Sequence, residues 1–315
     1  MNTASKNLPR KLNVETLKWG KINWVNIEQP TREDMEYLAQ NYLFNLFDLE
    51  DCLSRVERPK IDEYDNYLFI VLHFPVFNKK IRITKPSQVA IFITEGLLVT
   101  VHSGELKPLA NLFNDCQQNE RAREENMSRS TGFLLYRVLD RLIDYCFPIA
   151  NKIITNIEDA ENRLFKEPAW QTVREISLLR RDVMACRHII RPQYAIIKSL
   201  EIKDYPFLRE DLEHHFGDIG DHIGKINETL DEYKEVVEGL NATSDSLFSY
   251  RSNESIKMLT VLGTVLLPLL VVGGLYGMNV KLPFQDSDHA FLFIILFTLA
   301  LSGSMLAYFR YRKWI

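Results

Sequence analysis

The 315-residue sequence has no Cys-x-x-Cys pair, no His-Glu-x-x-His element, no Walker-type glycine loop and no surplus of basic charge. Cys52, Cys116, Cys146 and Cys186 stand apart without the spacing of a zinc site, and they read as reduced cytosolic thiols. Lysine and arginine total 38 against 42 acidic residues, a net charge of −4, so the basic excess or stripe of a nucleic-acid-binding domain is missing and no such partner is expected. The first thirty residues contain Lys6, Arg10, Lys11, Lys18 and Lys21 but no apolar core. No secretory signal is expected, and the N-terminal body belongs in the cytosol. His214 and His215 are adjacent and share no helix face, and no nucleophile motif accompanies them, so an enzyme is not expected.

What is present is concentrated near the C-terminal end. Met258–Leu275 carries no charge, and at about 1.5 Å per residue such a helix nearly crosses a hydrocarbon core of roughly 30 Å. Ala290–Phe309 is equally uncharged. A mean hydropathy of −0.15 conceals this contrast, because the apolar runs are confined to the last sixty or so residues. We expect two membrane spans at about 257–276 and 290–309, within a transmembrane hairpin covering 256–315. Arg251 and Lys257 precede the first span, and Arg310, Arg312 and Lys313 follow the second. The intervening Val280–His289 offers only Lys281 against Asp286 and Asp288. The positive-inside rule puts both ends in the cytosol and the short loop outside, as for a multi-pass protein of the inner or plasma membrane.

Residues 1–104 read as an α/β subdomain. Met1–Leu17 is polar and unpatterned and reads as a frayed tail. Ile22–Ile27 alternates like a strand, Thr31 caps a helix running to about Tyr42, and a shorter helix spans Asn45 to Leu53. Strands are expected at Tyr67–Phe77, Lys80–Thr84, Gln88–Thr94 and Leu97–Val101. The breaks at Asn78-Lys79-Lys80, Lys85-Pro86 and Glu95-Gly96 suggest a mostly antiparallel sheet.

Residues 105–255 read as helical. Thr131–Phe165 has helical spacing, Pro168 could open a helix to about Leu200, and Asp204-Tyr-Pro206 could open another. From there Phe216, Ile219, Ile223, Ile226, Leu230, Tyr233, Val237, Leu240, Ser244 and Leu247 alternate spacings of three and four. No proline interrupts this heptad seam until Pro268, so one helix can run from the cytosolic body into the membrane. Gly217, Gly220 and Gly224 lie within it, where close packing or bending explains them better than a phosphate cradle.

Polar groups in the first span are few but are spaced on one face, along Asn253, Ile256, Thr260, Gly263, Leu267, Leu270 and Gly274, with Leu259 beside this line, Asn279 ending it and mostly apolar positions between. Two spans cannot enclose an aqueous path, so transport would need an oligomer. Small residues at Gly263, Gly273, Gly274 and Gly277 would permit the close approach. The line has no carboxylate. Mg2+ gives up water reluctantly, and neutral amide oxygens can accept hydrogen bonds from its waters without holding it too long. Asn253 and Asn279 also fit plainer roles, as an interfacial polar residue and a helix C-cap.

Tyr276-Gly277-Met278-Asn279 follows an apolar helix with Leu-Pro268-Leu and Gly273-Gly274, and precedes a short loop, a second span and a basic tail ending in Arg310-Tyr-Arg-Lys313-Trp314. This combination resembles the CorA family of magnesium and divalent metal ion transporters. The resemblance extends to Leu49-Glu50-Asp51-Cys52-Leu53, Arg58-Pro59-Lys60, Tyr67-Leu-Phe-Ile-Val71 and Asp218-Ile-Gly-Asp221-His222. It implies a funnel-shaped homopentamer that carries Mg2+, and often Co2+ or Ni2+, down its gradient, with the first span of each subunit lining one pore. The tripeptide maps onto Gly277, Met278 and Asn279 at the outer mouth, and the inner asparagine onto Asn253. Regulation by intracellular Mg2+ maps onto Asp218, facing Glu50 and Asp51 of a neighbour; the alternative is that these are ordinary solvated acids. The sequence departs from the family at Val280-Lys281-Leu282, where acidic residues are usual. Ile256 and Leu267 stand where some relatives carry methionine. A zinc-transporting branch and, from another class, a membrane-anchored sensor or scaffold are the competing readings.

Overall fold

The computed structural model describes residues 12–54, 57–78, 83–166, 169–203, 205, 212–279 and 289–314. The expected helix openings at Pro168 and at Asp204 and Pro206, and the loop charges Lys281, Asp286 and Asp288, lie outside them. The chain divides into two compact units: Met1–Lys166 with Arg174–Leu240, and Glu167–Val173 with Asn241–Ile315.

The first unit is built on one six-stranded sheet of order β1-β2-β6-β5-β4-β3. Its strands are β1 (Val14–Trp19), β2 (Ile22–Glu28), β3 (Lys60–Glu63), β4 (Leu68–Asn78), β5 (Ile83–Thr94) and β6 (Leu97–His102). Every pairing is antiparallel except that of β2 with β6. Between β2 and β3 the chain forms α1 (Arg32–Asn41) and α2 (Leu46–Leu53). Thr31 and Asp34 form a reciprocal capping box at α1, and the Asn45 side chain accepts from the Phe47 amide at α2. Met35 and Leu38 of α1, with Leu49 and Cys52 of α2, cover one face of the sheet by packing on Val25, Ile27, Phe92, Val99 and Val101. On the other face the Trp24 indole donates to Thr100 Oγ1 at 3.0 Å and meets the Phe113 ring edge-on at 5.0 Å. Phe113 belongs to α3 (Lys107–Gln118).

Three expectations are corrected here. Val14–Trp19 is a strand, not part of a frayed tail, and its half-exposed VETLKW sequence hides the pattern. The four-residue β3 was not foreseen at all. The break expected at Lys85-Pro86 does not occur: β5 runs through it with Pro86 directly opposite Pro75 of β4. Two prolines facing each other cannot exchange N–H···O bonds, so this must be a non-hydrogen-bonded pair, where neither nitrogen is needed by the ladder.

After α4 (Glu120–Met127), the apolar spacing of Thr131–Phe165 is realised as two helices, α5 (Thr131–Asp144) and α6 (Cys146–Arg163), followed by α7 (Ala169–Ile202) and α8 (Glu213–Tyr276). The heptad seam is buried from Phe216 through Leu230 and again at Val237, Leu240 and Ser244, with Tyr233 and Leu247 half-buried. The α8 glycines allow a close approach to α7. A Cβ on Gly220 would lie 3.2 Å from Lys198 and Glu201 atoms, and one on Gly224 would lie 3.4 Å from the Tyr194 ring. Packing against α7, not anion binding, accounts for them.

In the second unit, the apolar part of α8 packs on α9 (Ala290–Tyr311). Both helices are long and apolar enough to cross a membrane. Val261 and Pro268 of α8 and Thr298 and Ser302 of α9 are buried, and Ser302 Oγ donates to the Val265 carbonyl at 2.9 Å. Pro268 has no N–H to give the Thr264 carbonyl, so the ladder is weakened one residue from this bond, and a hydroxyl from the neighbouring helix supports it there. Ser302→Ala is expected to lower the stability of the hairpin by about 1 kcal/mol, read as a lower thermal midpoint in detergent. Ser304→Ala is the control, because the Ser304 hydroxyl donates to the Leu301 carbonyl of its own helix and so does not tie the two helices together.

His102, at the end of β6, accepts from the Gly104 amide through Nδ1 at 3.1 Å, and its Nε2 lies 3.1 Å from Asn26 Oδ1. Burial pushes its pKa down to about 4. The folded value is below the unfolded one, so the stabilisation is complete above roughly pH 6.5 and is lost as pH falls toward 4. Unfolding measurements between pH 7 and 4 should show a loss of up to about 3 kcal/mol that His102→Gln removes.

Candidate functional site

The residues expected to line a path lie on the face of α8 that its own chain leaves uncovered. Asn253, Ile256, Leu259, Thr260, Gly263, Leu267, Leu270 and Gly274 are all exposed, as are Gly277, Met278 and Asn279. Leu259 and Leu270 are 68% and 71% exposed, whereas Val261 on the covered face is 7% exposed. The two faces follow from the 3.6-residue period: Val261, Pro268 and the half-buried Thr264, Val265 and Val272 turn toward α9, and the neutral polar line turns away.

Chemically the line offers few donors or acceptors. Thr260 Oγ1 donates to the Ile256 carbonyl at 2.8 Å, so its proton is committed to its own helix and only its lone pairs remain for a solvated ion. Apart from the helix's own backbone, no atom of the described residues lies within 4 Å of a Cβ placed on Gly263, Gly273 or Gly274, so packing among them does not require these glycines. Gly277 is different. Its amide donates to the Gly273 carbonyl at 3.0 Å, and a Cβ there would sit 3.1 Å from that oxygen. The tripeptide therefore starts where the helix closes, and Asn279 projects from the irregular backbone beyond Tyr276.

The acidic residues assigned to regulation are all in the first unit. Glu50 and Asp218 are exposed. Asp51 is half-buried and already paired: Lys60 Nζ lies 2.8 Å from its carboxylate and 2.7 Å from that of Asp62. Burial alone would push the lysine down, but the hydrogen bonds to Asp51 and Asp62 outweigh it and hold the Lys60 pKa well above the usual lysine range. A cation binding at Asp51 would have to compete with this ammonium. One turn earlier, Asp48 is buried and accepts from the hydroxyls of Tyr67 at 2.7 Å and Tyr64 at 3.2 Å. Burial raises its pKa despite those bonds.

The structure also assembles a group that the sequence did not disclose. Asp140 and Asp144 of α5 and His222 of α8 bring their ligand atoms within 4.8 Å of one another. Burial and the Asp144 charge raise the pKa of Asp140, partly offset by Arg137 and His222. Two carboxylates with an imidazole can hold a divalent cation, and the nitrogen suits Zn2+, Co2+ or Ni2+ better than Mg2+. Asp140 and Asp144 at i and i+4 are visible in the sequence; only the fold brings His222 to them.

Comparison with known proteins places these features in one family. Residues 19–312 match the family model described as CorA-like Mg2+ transporter protein. The cobalt/magnesium transport protein CorA of Thermotoga maritima is 26% identical over 93% of this chain and 83% of its own. The zinc transport protein ZntB of Yersinia pseudotuberculosis is 21% identical over 93% of this chain and 88% of its own. The solved structure of the CorA magnesium transporter from Methanocaldococcus jannaschii superposes with a TM-score of 0.79 at 22% identity, covering 95% of this chain and 94% of that one. The soluble α/β body, the long helix and the two C-terminal apolar helices are therefore those of a membrane protein, and the chain belongs to the CorA family.

Proposed function

We infer that this protein is a homopentameric channel for passive entry of divalent cations, chiefly Mg2+, across the cytoplasmic membrane, with Co2+ and Ni2+ as further substrates. The observation that carries this reading is the neutral line from Asn253 to Asn279, wholly exposed on α8 although it sits in an apolar span. A plain anchor or signalling stalk needs no such face, whereas five copies around an axis would enclose it. Asparagine rings at the two ends would meet a hydrated cation through its waters, and Ile256, Leu259, Leu267 and Leu270 would form apolar constrictions that close by dewetting. The membrane potential would drive entry by about 4.6 kcal/mol per divalent ion per 100 mV.

In this reading residues 1–104 and 105–255 are cytosolic, 256–315 is a hairpin in lipid, and both termini are inside. Asp218 faces Glu50 and Asp51 of the adjacent subunit. Their mutual repulsion is relieved by bound Mg2+, which holds the closed state when internal Mg2+ is high.

Transport of Zn2+ is the second reading, favoured by the imidazole in the Asp140, Asp144 and His222 group and by the likeness to ZntB. Uptake into proteoliposomes separates the two: Mg2+ flux is expected, and flux of Zn2+ without Mg2+ would sink the first reading. Asn279→Ala is expected to abolish or strongly reduce Mg2+ flux while the oligomer still assembles; unchanged flux would count against the pore assignment. With internal Mg2+ varied, Asp218→Lys should remove the inhibition by internal Mg2+, and an unaltered response would dismiss the sensor role.

A further inference from the structure

The one parallel pair among the described strands creates a site unrelated to the ion path. β2 and β6 lie side by side and run in the same direction. The chain leaves β2 for α1, which covers one face of the sheet, and leaves β6 for α3, which covers the other. Diverging connections open a crevice beyond the carboxyl ends of adjacent parallel strands, the usual place for ligands in open sheets. A cavity of about 590 Å3 occupies this position, walled by Gln29 and Pro30 after β2, Ser103 and Glu105 after β6, Leu53 and Ser54 at the end of α2, and the first residues of β5. Its size is in the range of small-molecule sites.

The walls are held firmly. Gln88 donates to the Asp51 carbonyl at 3.0 Å and accepts from the Glu57 amide at 2.9 Å, which fixes the end of α2 against β5. Gln29 adopts φ +58 without being glycine, and its amide donates to the His102 carbonyl at 2.8 Å. Such strained backbone is concentrated at ligand clamps and active sites.

The polar groups define what could enter. Lys85 Nζ lies 2.6 Å from Glu105 Oε1, both side chains about two-fifths exposed. Ser87 Oγ lies 3.2 Å from Ser103 Oγ, which leaves one hydroxyl proton of the pair free for a guest. A simple anion taking Lys85 would leave the Glu105 carboxylate repelling it, and a simple cation would meet the reverse. A guest with one charge of each sign satisfies both groups at once and leaves neither unpaired.

We propose that this crevice binds a small zwitterion of the amino-acid class, its carboxylate on Lys85 and its ammonium on Glu105, with the serine hydroxyls beside the carboxylate. This is a cytosolic ligand site independent of the conduction reading. The side chain of the guest would lie on the apolar surface of Pro30, Leu53 and Pro86.

The test is calorimetric titration of the purified full-length protein with each of the standard L-amino acids, and with acetate, ethylamine, inorganic phosphate and adenosine monophosphate as the competing classes. At least one amino acid should bind saturably, acetate and ethylamine should not, and Lys85→Met and Glu105→Gln should each weaken binding by about tenfold or more. Both side chains are on the surface, and unchanged thermal midpoints of the two variants would show that the fold is intact. Ser103→Ala, a milder change in the same wall, should weaken binding less. Absence of binding by any amino acid, binding of phosphate or the nucleotide in their place, or affinity unchanged in both charge variants would overturn the proposal.

Discussion

A single backbone ladder runs from Glu213 to Tyr276, and the rest of the molecule is arranged by what that ladder requires at each level. In its first half the requirement is burial of an apolar seam: Phe216, Ile219, Ile223, Ile226 and Leu230 are each about 1–2% exposed. In its second half the requirement is the reverse. Hydrocarbon supplies no hydrogen bonds, so every backbone group must be satisfied by the helix itself or by a neighbour. Pro268 breaks that self-sufficiency at one point, and the Ser302 hydroxyl bonds to the Val265 carbonyl beside it. A similar arrangement occurs in α7, where the buried Gln193 amide donates to the Ile189 carbonyl at 2.8 Å beside Pro192.

Features that depend on short-range chemistry were legible in the sequence. The cap at Thr31 rests on one side chain and the amide three residues on, and it is present; the expected second helix forms as well, with the Asn45 side chain capping it at the Phe47 amide. The seam and the exposed face of α8 follow from the helical period and need no knowledge of partners. Strands that do not alternate cleanly escaped: β1 exposes Glu15 and Thr16, and β3 has only four residues rich in charge. Such short or charged strands are typical of sheet edges. At Lys85-Pro86 a turn signal was overridden because tertiary pairing needed no donor there.

The candidate sites divide in the same way. The neutral line is a property of one helix, so spacing disclosed it. The Asp140, Asp144 and His222 group joins α5 to a helix far along the chain, and the Lys60 ammonium that occupies Asp51 of α2 comes from β3. No local pattern predicts either. Their electrostatics differ accordingly: Asp51 carries its own counter-charge, while Asp140 is only partly balanced by Arg137 and feels the Asp144 charge one helical turn on.

The opposed prolines of β4 and β5 have a consequence for how copies of this chain can meet. Pro75 lies past the last residue of β4 paired with β3, and Pro86 lies before the first residue of β5 paired with β6. Among the described residues, neither outer margin at these prolines pairs with a further strand, and at a non-hydrogen-bonded pair the nitrogens point toward those margins. Each proline deletes the middle donor from the row that an incoming strand would need. The hairpin can therefore project from the sheet without inviting strand addition by another molecule along these two margins.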